Sequence, residues 1–177
     1  LADKDWRLRA RAALVVSRNL PDSEESRGMI LAALRDSDPV VRWCLVRGLV
    51  DVRRRVHFGM WSSVSDDVQN PPVLASAIDA LETAMGDADA SVRSAAAMAL
   101  GCLPAMASRA IPALARGLSD ADKRVRRAAL SSLAELARAD DTALVSLAEA
   151  TADKDKDLRE SAAFDLHELD LKSAACV

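Results

Sequence analysis

With 177 residues, 50% of them hydrophobic and 29% charged, the chain has the length of one ordinary domain or a short repeat array and a globular rather than disordered composition. Charges such as Arg47 and Asp51 break every apolar run well short of the roughly 18 residues that cross a bilayer, so no membrane-spanning helix is expected. The 35 Ala, 3% aromatics and absence of Tyr favour helix over strand, and the expected fold class is all-α.

The net charge of −3 is unevenly spread, because residues 1–60 hold 12 Lys/Arg against 8 Asp/Glu while residues 61–177 hold 12 against 19. A mildly acidic total argues against generic duplex binding and makes nucleic acid an unlikely partner, but leaves room for a basic patch in the first half. Cys44, Cys102 and Cys176 have no metal-ligand spacing and read as reduced core or tail residues, which points to a cytoplasmic location. The chain opens on Leu1 rather than Met, read here as a cut from a longer polypeptide.

One segment, Asp-x-Asp-x-x-(Val/Leu)-Arg-x-x-(Ala/Leu)-x-x-x-(Leu/Val), occurs five times, starting at Asp3, Asp36, Asp87, Asp120 and Asp153. The offsets are 33, 51, 33 and 33, so one unit carries an 18-residue insertion in an otherwise strict period. Five arginines, Arg9, Arg42, Arg93, Arg126 and Arg159, fill the seventh column, which by chance has a probability on the order of one in 100,000.

The first unit consists of a single predicted helix after Asp5, with only Leu1 and Ala2 before Asp3. Without a first helix, Leu8, Ala12 and Val16 are expected to face water, so the array is read as a fragment of a longer one or as a docking end. In the second unit Ile30 and Leu34 mark a first helix, and Asp38-Pro39 marks the start of the second, with Asp as N-cap and Pro where no useful N–H is lost. The insertion follows, within about residues 50–72; a plain reading runs the second helix on to about His57 and folds Phe58 and Trp61 back as a cover. Units three to five each repeat the hairpin, with first-helix stripes Ile78, Leu81, Met85, then Ile111, Leu114, Leu118, then Leu144 and Leu147. In every second helix columns six, ten and fourteen form one apolar stripe, as in Val125, Ala129 and Leu133. The third-column residues Asp5, Asp38, Asp89, Asp122 and Asp155 are expected as caps.

A lone hairpin cannot cover both of its apolar faces, whereas a stack buries a continuous core, so a single right-handed or gently curved solenoid over residues 1–177 is expected. The segment AIPALARGLSDADKRVRRAALSSLAEL, beginning at Ala110, resembles a HEAT repeat of the short bacterial kind found in phycobilisome-lyase-like proteins. The resemblance spans about residues 3 to 170. It implies an alpha-alpha superhelix, a scaffold rather than an enzyme, and a structural ladder. In that ladder Arg42, Arg93, Arg126 and Arg159 pair with Asp36, Asp87, Asp120, Asp153 or turn carbonyls of their own or a neighbouring unit.

Two places could meet a partner. Arg53, Arg54 and Arg55 stand close to Phe58 and Trp61 in the insertion, a combination suited to acidic peptides, phosphate or stacked bases. Columns five, eight and twelve of the second helices form a second stripe, which in HEAT-like arrays lines the concave surface. Its members include Arg7, Ala10, Leu14, Trp43, Arg47, Met98, Arg124, Arg127, Asp157, Glu160 and Phe164. The expected partner is an acidic protein or peptide, with single-stranded nucleic acid second and no membrane.

Catalytic signals are thin. Deoxyhypusine hydroxylase, a HEAT-like enzyme, uses several His-Glu pairs for iron; His167-Glu168 is a single pair, so neither metal nor cofactor is expected. HEAT-like DNA glycosylases are the enzymatic alternative, with Trp43, Arg47 and Asp51 as the residues to test, and a bilin lyase-like enzyme is a third possibility without a matching motif.

Overall fold

The computed structural model describes residues 3–19, 24–57 and 73–175, which contain nine α-helices and no strand. They are α1 (Trp6–Asn19), α2 (Glu24–Ala33), α3 (Pro39–His57), α4 (Val73–Ala84), α5 (Ala90–Gly101), α6 (Ala107–Gly117), α7 (Lys123–Leu136), α8 (Thr142–Ala150) and α9 (Lys156–Ala175). Among the described residues no single helix is long and apolar enough to cross a membrane.

The helices pack in two rows. One row is α1, α3, α5, α7, α9, each packed on the next, and the other is α2, α4, α6, α8. Four hairpins, α2–α3, α4–α5, α6–α7 and α8–α9, therefore stack as a solenoid, and α1 packs on α3 as a second helix that has no first helix among the described residues. The stripes meet between the rows: Ile78, Leu81, Leu114, Leu133, Leu136 and Leu147 are all fully buried. Each such residue contributes roughly 1.5–3 kcal/mol. Leu34 and Leu49 pack against both main clusters, so the core runs on from unit to unit.

Alanine sets how closely the second helices approach. In α5, held between α3 and α7, Ala95, Ala96, Ala97 and Ala99 are all buried. At two crossings even a methyl group is too large. A Cβ on Gly48 would overlap Ser17 Oγ, and one on Gly101 would lie 2.8 Å from the Cα of Ser132. These are the α1–α3 and α5–α7 contacts, the most extensive in the row. Ser132 also donates its hydroxyl across the second crossing to the Ala97 carbonyl at 2.9 Å.

The open end differs in detail from the sequence expectation. Leu8 is exposed, but Ala12 and Val16 are half-buried and Val15 is the residue turned to water. Ala10, expected on the outward stripe, is buried in the α1–α3 contact because its single methyl lies within the reach of the close-packed neighbour. Cys102 sits exposed at the end of α5 rather than in the core, while Cys44 is half-buried beside Leu45 and burial pushes its thiol up from the ordinary value. Cys176 lies outside the described residues.

Gly101→Ala is expected to destabilise by about 1–3 kcal/mol, since the clash is with backbone and no rotamer relieves it. Gly28→Ala, on α2 with open space around it, is expected to stabilise by about 0.5–1 kcal/mol. Urea midpoints of the two variants measure the difference, and shifts of the same sign contradict this account of the crossing.

Candidate functional site

Each unit begins with two aspartates doing different local work. The first-column carboxylate accepts the amide of the third-column Asp: Asp5 N to Asp3 and Asp89 N to Asp87 at 2.8 Å, Asp38 N to Asp36 at 2.9 Å, Asp122 N to Asp120 at 2.8 Å and Asp155 N to Asp153 at 2.7 Å. The third-column carboxylate caps the helix that follows, accepting Arg7, Val40, Ser91, Arg124 and Asp157 amides at 2.8–3.0 Å.

This tight turn presents its carbonyls to the seventh-column arginine one turn into the helix. Arg93 Nη1 donates to the Asp87 and Ala88 carbonyls at 2.7 and 3.0 Å, and Arg9, Arg42, Arg126 and Arg159 repeat the pattern in their own units. Held there, the guanidinium aims its Nε–Nη2 edge at the next unit. Arg9 forks onto Asp36 at 2.7 and 3.0 Å, Arg42 onto Asp87 at 2.7 and 2.8 Å, Arg93 onto Asp120 at 2.7 and 2.9 Å, and Arg126 onto Asp153 at 2.8 and 3.4 Å. The Arg42–Asp87 rung joins the units on either side of the insertion with the same geometry as the others. The side chains of Arg126 and Asp153 are only 5% and 9% exposed, the most enclosed rung of the series.

The forks hold the carboxyls of Asp36 and Asp120 below the ordinary range, with Arg9 and Arg93 as the main cause in each. At Asp87 burial opposes ionisation, yet the Arg42 fork and the Asp89 amide outweigh it and the carboxyl is also lowered. Asp165 moves the other way: burial raises it, and although Arg138 offsets this in part, Glu135 adds to it.

The outward stripe of the second helices is a separate surface. Val40, Trp43, Arg47, Met98, Arg124, Arg127 and Phe164 are all exposed, Met98 by 53% and Phe164 by 63%. Arg47 lies over the Trp43 ring at 5.4 Å, holding an aromatic face and a cation together. A similar pair that sequence reasoning missed is Arg7 over Trp6 at 4.8 Å, at the start of α1; the adjacency Trp6-Arg7 was its only signal. Arg124 turns back onto its own cap, Asp122, at 2.8 and 3.1 Å, whereas Arg127 has no ion-pair partner among the described residues. This ion pair, with the Arg124 amide, lowers the Asp122 carboxyl to about 2. At the far end Asp157 and Glu160 make the stripe acidic, with Lys123 reaching Asp155 and Asp157 at 2.7 and 2.9 Å.

Arg53, Arg54 and Arg55 fall within the last turns of α3, which ends at His57; the positions of their side chains are not described. Phe58 and Trp61 lie outside the described residues. His167 is exposed on α9 beside half-buried Glu168, and among the described residues no group of three or more His, Cys, Asp or Glu is placed to hold a metal ion.

A family model described as HEAT repeats matches residues 78–166. Among solved structures the chain is similar to three crystal structures of engineered proteins. The first has a TM-score of 0.60 at 18% identity over 96% of this chain and 76% of that one. The second has 0.61 at 19% identity over 95% and 77%. A third, with 0.60 at 18%, is longer, and this chain spans 46% of it. These likenesses establish a helical repeat fold. The curated proteins contain no match.

Because Asp36, Asp87 and Asp120 are lowered when folded, their contribution to stability is complete above the ordinary carboxylate value near ~3.9 and is lost as pH falls through their folded values. Asp165, raised by burial, opposes this as a single group. The melting temperature is therefore expected to hold from neutral pH down to about 5 and to drop below about 4, and to drop less steeply in Asp120→Asn. Thermal melts followed by circular dichroism check it; an acid limb unchanged by Asp120→Asn contradicts the ladder's role.

Proposed function

The chain belongs to the HEAT-repeat family, and we propose that it is a non-enzymatic scaffold whose outward second-helix stripe, with the adjoining insertion, holds a segment of a protein partner. HEAT repeats commonly serve as interaction scaffolds, and the observation that carries the reading here is Trp43 beneath Arg47 on an exposed row that also bears Val40 and Met98. A solvated helix face gains nothing from large apolar groups at these positions, whereas interface anchors are enriched in Trp and Arg.

The polarity of the partner follows from charge. Arg47 and Arg127 point outward without carboxylate partners among the described residues, and Arg53, Arg54 and Arg55 lie further along the same helix as Arg47. An acidic segment running from the insertion along α3, α5 and α7 meets this charge and reaches the acidic α9 last, which sets its direction and its end. Phe58 and Trp61 supply further aromatic surface in this proposal, next to the arginines in sequence.

The test is a titration of a labelled oligoglutamate peptide followed by fluorescence anisotropy, with oligolysine and oligothymidylate as comparisons. The acidic peptide is expected to bind, to weaken with added salt, and to lose about tenfold or more in affinity in Trp43→Ala and in the variant with Arg53, Arg54 and Arg55 changed to Ser. Tighter binding of the oligothymidylate, or release of methylated bases from alkylated DNA that disappears in Asp51→Asn, overturns the proposal in favour of nucleic-acid chemistry.

A further inference from the structure

The outward face changes bulk from repeat to repeat. Columns five and eight carry Val40 and Trp43 on α3 and two arginines on α7, but on α5 both are serine, Ser91 and Ser94. Ser94 is half-buried and its hydroxyl donates across to the Arg124 carbonyl at 3.5 Å, so it lies low against α7 instead of standing out from α5. One turn on, Met98 is 53% exposed and closes one end of this floor. The α5 surface is therefore a notch with an apolar end wall, flanked by a ridge of larger side chains on either side.

Both ridges offer a cation. Arg47, on the α3 side, lies over the Trp43 ring at 5.4 Å and meets no carboxylate among the described residues. On the α7 side Arg127 is exposed and also lacks a carboxylate partner among the described residues, whereas Arg124 is tied to Asp122. The Arg42–Asp87 and Arg93–Asp120 forks keep α3, α5 and α7 in one register. Packed helices lie about 8–10 Å apart, so the two cations are separated by on the order of 16–20 Å, with the notch between them.

A ligand that uses all three places must present three side chains on one side, at steps of about 8–10 Å. A β-strand repeats its faces at about 6.6 Å or 13 Å, and an α-helix at about 5.4 Å or, every second turn, about 10.8 Å. Polyproline II returns to the same side every three residues, a rise of about 9.3 Å, which falls within the required step.

We propose that the outward face selects a segment in the polyproline II conformation with a carboxylate, a bulky apolar side chain three residues on, and a second carboxylate three residues beyond that. The carboxylates meet Arg47 and Arg127, and the apolar side chain enters the notch over Ser94 and packs against Met98. This selectivity presupposes the acidic-segment binding proposed above and adds to it a spacing and an apolar anchor.

Fluorescence anisotropy with the labelled peptide Pro-Glu-Pro-Pro-Leu-Pro-Pro-Glu-Pro tests it. One comparison peptide has the same composition with the leucine moved one place toward the first glutamate, and a second has alanine for leucine. Wild type is expected to bind the in-phase peptide about tenfold or more tightly than either. Ser94→Leu fills the notch and is expected to bring the in-phase peptide down to the level of the alanine peptide. The three-peptide comparison on wild type decides the matter even where that variant is destabilised. Equal affinity for the in-phase and shifted peptides, with oligoglutamate still bound, overturns the spacing and leaves the acidic-segment reading standing. Absence of binding by every acidic peptide overturns both.

Discussion

A guanidinium tied on one edge to the carbonyls of its own turn has only one direction left in which to bind. In this chain that direction is the next repeat, where a carboxylate is already fixed by the amide two residues on. The rung is therefore preorganised on both sides, which keeps down the entropy that makes most surface ion pairs worth little. The forks are bidentate and mostly shielded, and each also satisfies turn carbonyls that capping leaves open. The ladder sets the vertical register of the units, and the packing of the helices follows from that register.

Helix contact then depends on side-chain size at the crossings. Ser17 against Gly48 and Gly101 against Ser132 bring two pairs of second helices into their closest approach. The equivalent position in the last unit is Asp165, a half-buried carboxylate where interior units have Gly, Ala or Ser, and α9 packs on α7 far less extensively than α7 packs on α5. A carboxylate cannot enter so narrow a crossing without losing water, and the upward displacement of its pKa reflects that conflict. The surface left on the outer side of this row is fixed in spacing by the same register. Residues thirty-three positions apart in adjacent regular units recur along one line, which allows an extended segment to be read repeat by repeat.

Much of the architecture was legible in the sequence because it repeats. The Asp-x-Asp turn, the capping carboxylates and the second-helix stripe follow from local chemistry sampled five times, and the helical hairpin from chemistry sampled four times. What a period cannot encode is contact between units. The aspartates and arginines could be named, but whether an arginine serves its own turn, a neighbour or both depends on three-dimensional register; in the structure it is both. Ala10 illustrates the same limit: it shares a column with exposed Trp43 and Arg127, yet a side chain that short is covered once α3 closes on α1. The Ser and Gly crossings were invisible for a related reason, since the glycine itself falls in the thirteenth column at Gly48 and in the fifteenth at Gly101, with a serine facing it each time. The outward stripe was legible as a set of residues, and the stacking of Arg47 on Trp43 was the part only coordinates could supply.

The central claim is that the interunit fork, rather than the apolar stripe alone, couples neighbouring repeats. A double-mutant cycle on the most enclosed rung, Arg126→Ala with Asp153→Asn, measures it directly through urea unfolding. The cycle is compared with the exposed Arg138–Glu135 pair, whose groups stand 3.5 Å apart. The account predicts a coupling energy on the order of 1–3 kcal/mol for Arg126–Asp153 and only a few tenths for Arg138–Glu135. A coupling below about 0.3 kcal/mol at the enclosed rung, no larger than at the exposed pair, would contradict it.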